Sequence, residues 1–121
     1  MIGIGTDLVE VDRFRQALAR TPALAGRLFT EGERAYAAER ADPTERLAVR
    51  FAAKEAVMKA MGVGLGAFAL HDVEVVRDPS GQPGLALRGA AAALADERGV
   101  TRWLLTLTHT DRVAQAIAVA L

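Results

Sequence analysis

The 121-residue chain contains no cysteine. Disulfide staples, a thiolate nucleophile and cysteine-ligated zinc are therefore excluded. It also carries no net charge, because 15 Lys and Arg balance 15 Asp and Glu. That balance offers no global argument for nucleic acid or a membrane surface as a partner. No apolar run is long enough to span a bilayer, and the first residues lack a secretion-signal pattern. A cytoplasmic protein is the expectation. Internal repeats, linkers and low-complexity segments are missing too, so residues 1–121 read as a single domain. A core this small makes oligomerisation a natural way to cover more apolar surface.

What is present is globular: 51% hydrophobic and 25% charged residues. The chain is organised around Arg50-Phe51-Ala52-Ala53-Lys54-Glu55-Ala56-Val57-Met58-Lys59, inside a helical run predicted from about Pro43 to Met61. On a helical wheel Leu47, Phe51 and Met58 share a stripe, with Val57 and Met61 to one side. Ala48, Ala52 and Ala56 line the other side, so the helix is apolar nearly all round and should be buried. Yet it carries Arg50, Lys54, Glu55 and Lys59, and Lys54 falls within the apolar stripe. Such charges need a partner, a ligand or a metal.

Before that helix, Met1 to Val11 reads as a strand in which Gly3 and Gly5 leave room for a close approach to the backbone. Asp12 caps a short helix to about Arg20, and Thr21-Pro22 ends it and starts another with Pro22 at its first position. Thr30-Glu31-Gly32-Glu33 has capping-box spacing and opens a helix to about Ala41. After the long helix, Gly62-Val63-Gly64-Leu65-Gly66 follows a helix rather than preceding one. A C-cap loop is thus the commoner explanation than a dinucleotide loop. The second half predicts two hairpins around a helix: strands at 71–77 and 85–88, a helix at 90–98, and strands at 103–108 and 113–121. The fold class is α+β, an antiparallel β-sheet packed around a long buried helix.

Asp7 and Glu55 are the candidate metal ligands. If strand and helix pack together, two carboxylates could hold Mg²⁺, which keeps waters and takes phosphate oxygens as its other ligands. The alternative is that Glu55 pairs with Lys59 at i,i+4 while Asp7 is an ordinary exposed acid. Arg50, Lys54 and Lys59 suit a polyanion, and Arg50 and Lys54 repel at i,i+4 unless an anion lies between them. They could equally bridge to acids elsewhere or snorkel to solvent. His109 ends a strand at a turn, where solvation and catalysis both fit. From Arg13 through Thr30 the charged residues are Arg13, Arg15, Arg20 and Arg27, a basic block able to steer an acidic partner or simply to be a solvated face.

Together these residues resemble the holo-acyl-carrier-protein synthase family, the short 4′-phosphopantetheinyl transferases of the AcpS type. The anchors are Gly3-Ile4-Gly5-Thr6-Asp7, Arg50-Phe51-Ala52-Ala53-Lys54-Glu55-Ala56 with Lys59, and the glycine loop 62–66. Further along come His71-Asp72-Val73-Glu74-Val75, Ser80-Gly81-Gln82-Pro83 and Leu107-Thr108-His109-Thr110. The resemblance implies transfer of phosphopantetheine from coenzyme A to a serine of an acidic acyl carrier protein. It makes Asp7 and Glu55 the Mg²⁺ ligands, and Asp7, Glu55, Lys59 and His109 the catalytic set. Coenzyme A would be held by Arg50, Lys59, Gly62, Gly64, Gly66, Pro83, His109 and Thr110. Arg13 and Arg20, with Arg27 in the same basic block, would meet the carrier protein. The family is typically a homotrimer with sites between subunits, which would bring His109 from a neighbour of Glu55. Gln82 departs from a frequent lysine and Thr108 from a frequent serine. An Mg²⁺-dependent nucleotide-cofactor hydrolase and a non-catalytic module for an acidic protein are the alternatives.

Overall fold

A computed structural model describes residues 1–121. Strand β1 (Gly3–Glu10) leads into α1 (Val11–Arg20), α2 (Leu24–Leu28), α3 (Glu31–Ala37) and the 17-residue α4 (Thr44–Ala60). A 3₁₀ turn (Leu70–Asp72), β2 (Val73–Arg77), β3 (Pro83–Leu87), α5 (Gly89–Glu97), β4 (Trp103–His109) and β5 (Val113–Ala120) complete the chain. The fold is α+β as expected, but the strands form two antiparallel sheets rather than one. The first has the order β1-β5-β4, and β2-β3 stands apart as a hairpin. No helix is long and apolar enough to cross a membrane.

Alternation sets which face of the larger sheet meets α4. On β5, Ala114, Ala116, Ala118 and Ala120 are buried between half-buried Val113, Gln115, Ile117 and Val119. Four methyl groups in a row let the helix lie close to the sheet, where Ala52, Ala56 and Val57 are fully buried. The two glycines of β1 complete that approach. A Cβ on Gly3 would stand 1.9 Å from the Ala60 carbonyl oxygen, and one on Gly5 would stand 2.0 Å from that of Ala56. The close neighbour expected at these glycines is the helix itself, and it fixes Asp7 opposite the helix's last turns.

Thr30 and Glu33 make the anticipated capping box, with Glu33 N–H donating to Thr30 Oγ1 at 3.2 Å and Thr30 N–H to Glu33 Oε1 at 2.9 Å. The glycine loop begins as a helix C-cap. Gly62, at φ 74°, and Val63 donate backwards to the Lys59 and Met58 carbonyls, the paired bonds of a Schellman motif. Some boundaries differ. Pro22 lies in a turn ahead of α2, and α3 ends at Ala37 rather than near Ala41. The strand expected from His71 begins at Val73, because Leu70–Asp72 closes a 3₁₀ turn first.

Candidate active site

Packing of β1 on α4 brings the two acids together. Asp7 and Glu55 line one cavity of about 510 Å³, with Phe14 and Phe51 on its wall and Arg13 and Arg20 at its side. Glu55 feels its surroundings: burial, and then the charge of Asp7, push its carboxyl above the ordinary value, and Lys59 offsets part of this. Lys59 does not take the i,i+4 pairing with Glu55. Its Nζ donates across to Asp7 Oδ1 at 3.1 Å and to the Thr6 carbonyl at 2.9 Å. Two mutually repelling carboxylates with a single ammonium beside them are a hard-oxygen donor pair short of positive charge, which fits Mg²⁺. No group of three His, Asp or Glu side chains is gathered anywhere, so the remaining ligands would have to come from water and substrate.

Helix α1 is seated next to this cavity by an aromatic cluster. The Phe14 ring packs edge-on to Phe29 at 6.1 Å and against Phe51 at 5.1 Å. That contact leaves Arg13 and Arg20 exposed on the cavity rim, Arg13 with a 3.9 Å approach to Glu10. Arg15, between them in sequence, turns away and is engaged by Asp12 and Asp42. Arg27 is exposed on α2 and lines neither this cavity nor the next.

Arg50, Pro83 and His109 meet in a second cavity of about 250 Å³, together with Tyr36, Arg40, Arg46 and Arg77. Three guanidiniums surround the Tyr36 ring, with carbons 3.9 Å (Arg46), 4.4 Å (Arg50) and 5.1 Å (Arg77) from its centroid. Arg50 is only 3% exposed, and its Nη1 donates to the Arg46 carbonyl at 3.2 Å. Its Nε is buried without a partner. His109 Nδ1 lies 3.7 Å from Glu45 Oε1. Thr110 is used locally, its Oγ1 accepting from the Arg112 and Val113 N–H groups at 3.1 Å. Gly64 and Gly66 lie in the exposed loop and, like Gly62, line neither cavity.

Lys54 is placed otherwise than an anion between it and Arg50 would require. Its side chain is wholly buried and pairs with Glu33 at 2.8 Å. The positions in the arginine cavity that sequence reasoning missed include Tyr36, Arg40, Arg46 and Arg77. Arg46 and Arg50 are a second like-charged i,i+4 pair beside Arg50 and Lys54, and that spacing was available as a signal. Tyr36 and Arg77 become neighbours only through tertiary packing.

The chain as a whole is similar to known proteins. The sequence profile of the 4′-phosphopantetheinyl transferase superfamily matches residues 3–119. A holo-[acyl-carrier-protein] synthase of Salinispora arenicola is 51% identical over 120 residues, covering 99% of this chain and 98% of that one. The crystal structure of the Neisseria meningitidis holo-[acyl-carrier-protein] synthase superposes with a TM-score of 0.90 at 32% identity, covering 100% of this chain and 98% of the other. A Bacillus anthracis holo-(acyl-carrier-protein) synthase solved in complex with CoA (3′,5′-ADP) reaches 0.81 at 33% identity, over 98% and 95% of the two chains. With the profile spanning nearly its whole length and such relatives matching end to end, this chain belongs to the 4′-phosphopantetheinyl transferase superfamily.

Proposed function

We propose that the protein transfers the 4′-phosphopantetheine group of coenzyme A to a serine hydroxyl of an apo acyl carrier protein, in the cytoplasm, as a holo-[acyl-carrier-protein] synthase. The observation that carries the proposal is the meeting of Asp7 and Glu55 in one cavity with Lys59 bonded to Asp7. The serine oxygen forms a bond to the phosphorus on the pantetheine side of the diphosphate. The bond from that phosphorus to the bridging oxygen breaks, and adenosine 3′,5′-bisphosphate leaves. Asp7 and Glu55 would hold Mg²⁺, which supplies charge neutralisation at the diphosphate.

The chain's own groups do the rest. Lys59, anchored by two hydrogen bonds, sets an ammonium where negative charge grows on the leaving group. Glu55 is the first candidate to accept the serine proton, with Asp7 and His109 as the alternatives. The Tyr36 arginine cluster, with His109 and Pro83, suits the nucleotide end of coenzyme A. An unpartnered buried guanidinium nitrogen beside three further arginines calls for phosphate oxygens. Arg13 and Arg20 on the rim suit an acidic carrier protein approaching with its serine.

Within one chain the acid cavity and the arginine cavity share no lining residue, which supports sites assembled between subunits of a homotrimer. The exposed face of the larger sheet is an apt contact. Ile4, Val119 and Leu104 stand in register across it, and Ile4 and Leu104 are 59% and 50% exposed. Mass spectrometry of an apo carrier protein incubated with the enzyme, coenzyme A and Mg²⁺ tests the reaction. A gain of one phosphopantetheine is expected. Steady release of bisphosphate without any carrier protein would indicate hydrolysis instead.

A further inference from the structure

Lys54 and Glu33 have side chains with no solvent exposure, and the proposed transfer uses neither. All three Lys54 Nζ donors and both Glu33 carboxylate oxygens are engaged. Lys54 Nζ donates to Glu33 Oε1 at 2.8 Å, to the Leu70 carbonyl at 3.1 Å and to the Val73 carbonyl. Glu33 accepts further bonds from Thr30 N–H at Oε1 and from Val75 N–H at Oε2, each 2.9 Å. An outer ring continues the network: Thr30 Oγ1 donates to Glu74 Oε2 at 2.7 Å, and Arg88 donates to Glu74 Oε1 at 2.6 Å.

A buried ion pair is a poor way to gain stability, because desolvation of both charges offsets their attraction. What it offers is direction: five bonds that tie three elements together at once. Those elements are the ones that build the arginine cavity. Glu33 is one helical turn before Tyr36 on α3, Lys54 is one turn after Arg50 on α4, and Val75 is two residues before Arg77 on the same face of β2. A cavity of about 230 Å³ joins Glu33 of the pair to the cluster, its lining including Glu33, Tyr36, Arg50, Val75 and Arg77. Within the cluster, Arg46 ties α4 to α3 through the Tyr36 carbonyl at 2.7 Å, but Arg50 and Arg77 meet only the Tyr36 ring and one another's like charge.

We infer that the Lys54–Glu33 pair is a positioning device for the nucleotide end of coenzyme A. It locks α3, α4 and the β2–β3 hairpin at the register where Arg50, Tyr36 and Arg77 converge on one phosphate. The inference rests on coenzyme A being the substrate. Both residues act through the cluster and touch no substrate.

The test is calorimetric titration of adenosine 3′,5′-bisphosphate, with steady-state kinetics, on the Lys54→Met/Glu33→Gln double variant, which removes both charges and keeps an acceptor oxygen for one of the two backbone N–H groups. The expected result is a Kd for the bisphosphate and a KM for coenzyme A raised about tenfold or more, the scale on which supporting shells act. The KM for carrier protein and the affinity for adenosine 5′-monophosphate stay at wild-type values. Wild-type affinity for the bisphosphate in a variant that melts earlier would overturn the inference, leaving the pair a purely structural role. An equal rise in both KM values would overturn it as well, since that is general loosening. If the double variant lacks a cooperative melt, Glu33→Gln alone is judged by the same criteria. Wild-type protein that fails to bind the bisphosphate would sink the coenzyme A reading itself, and this inference with it.

Discussion

The placement of Asp7 depends on a glycine, and replacing Gly5 by alanine measures how much. Gly5 is buried on β1, and a Cβ there would stand 2.0 Å from the Ala56 carbonyl oxygen, 2.7 Å from the Ala60 nitrogen and 2.9 Å from the Lys59 Cβ. Two of the three are backbone atoms of α4 and cannot swing aside. To reach an ordinary contact distance, β1 must retreat from α4 by about 1 Å or more, carrying Asp7 two residues along on the same face. Forced overpacking of this kind costs about 1–3 kcal/mol. For a domain of this size that corresponds to a melting temperature lower by about 3–15 °C. A displacement of about 1 Å at a reacting centre costs on the order of 10²-fold in rate. Gly5→Ala is therefore expected to melt earlier by calorimetry and to transfer about 10²-fold more slowly at saturating substrates. Gly26→Ala is the control: it sits inside α2 with nothing within 4 Å of its would-be Cβ, and should match or slightly exceed the wild-type melting point. A Gly5→Ala protein within about a degree of wild type would refute the claim that strand–helix contact sets the site.

Glu55→Gln separates function from stability. Because its folded-state value is raised, ionised Glu55 opposes folding as pH rises past the ordinary carboxylate range. The variant should melt no lower than wild type at neutral pH without Mg²⁺, yet lose at least about 10²-fold in rate. Mg²⁺ should then raise the wild-type melting temperature and leave the variant's unchanged. Charge reversal of Arg13 and Arg20 should raise the KM for carrier protein and spare that for coenzyme A; a KM indifferent to salt in the wild type would count against rim steering. Asp42 is held down to about 2 by hydrogen bonds from Thr44 and by Arg15. The unfolded chain therefore binds the proton first on acidification, and this stabilisation fades as pH falls from about 4 towards 2. Asp42→Asn should flatten the melting-temperature curve across that window, and an unchanged slope would show that exposure and screening cancel the bond.

What was legible in the sequence was periodic or local. Alternation with two glycines marked β1, the all-round apolar pattern marked α4, and Thr30-x-x-Glu33 marked a helix start; all three have a short-range physical cause. The acid pair was legible for a different reason, since a carboxylate on an otherwise buried helix demands an explanation. Pairings chosen by packing were not legible. Lys54 reaches Glu33 across 21 residues of sequence, and nothing in the local pattern favours that acid over Glu55 next door. Glu33 was readable as a capping residue, but only the fold shows that Oε1 serves both Thr30 and Lys54 while Oε2 holds Val75. The end of α3 was overrun for a related reason. Residues 38–41 are good helix formers, but Arg46 on α4 takes the Tyr36 carbonyl at 2.7 Å, and the chain turns there instead.

The two cavities leave opposite electrostatic problems unsolved in the free protein. In one, two carboxylates share a cavity with a single ammonium bonded to Asp7, and burial raises the cost of charge on Glu55. In the other, four arginines and a histidine gather with a single tyrosine at their centre, and the buried Arg50 guanidinium is itself disfavoured by desolvation. A chain selected for stability alone would have neutralised both locally, because its 15 acids and 15 bases suffice to do so. Each imbalance has the form of a missing ligand: a divalent cation with a diphosphate for the first, and a phosphate monoester for the second. Coenzyme A carries both anionic groups on one molecule. On the proposed reaction, a diphosphate-only nucleotide would relieve one cavity and leave the other strained, so discrimination for the 3′-phosphate would rest with the Tyr36 arginines and the chemistry with Asp7 and Glu55.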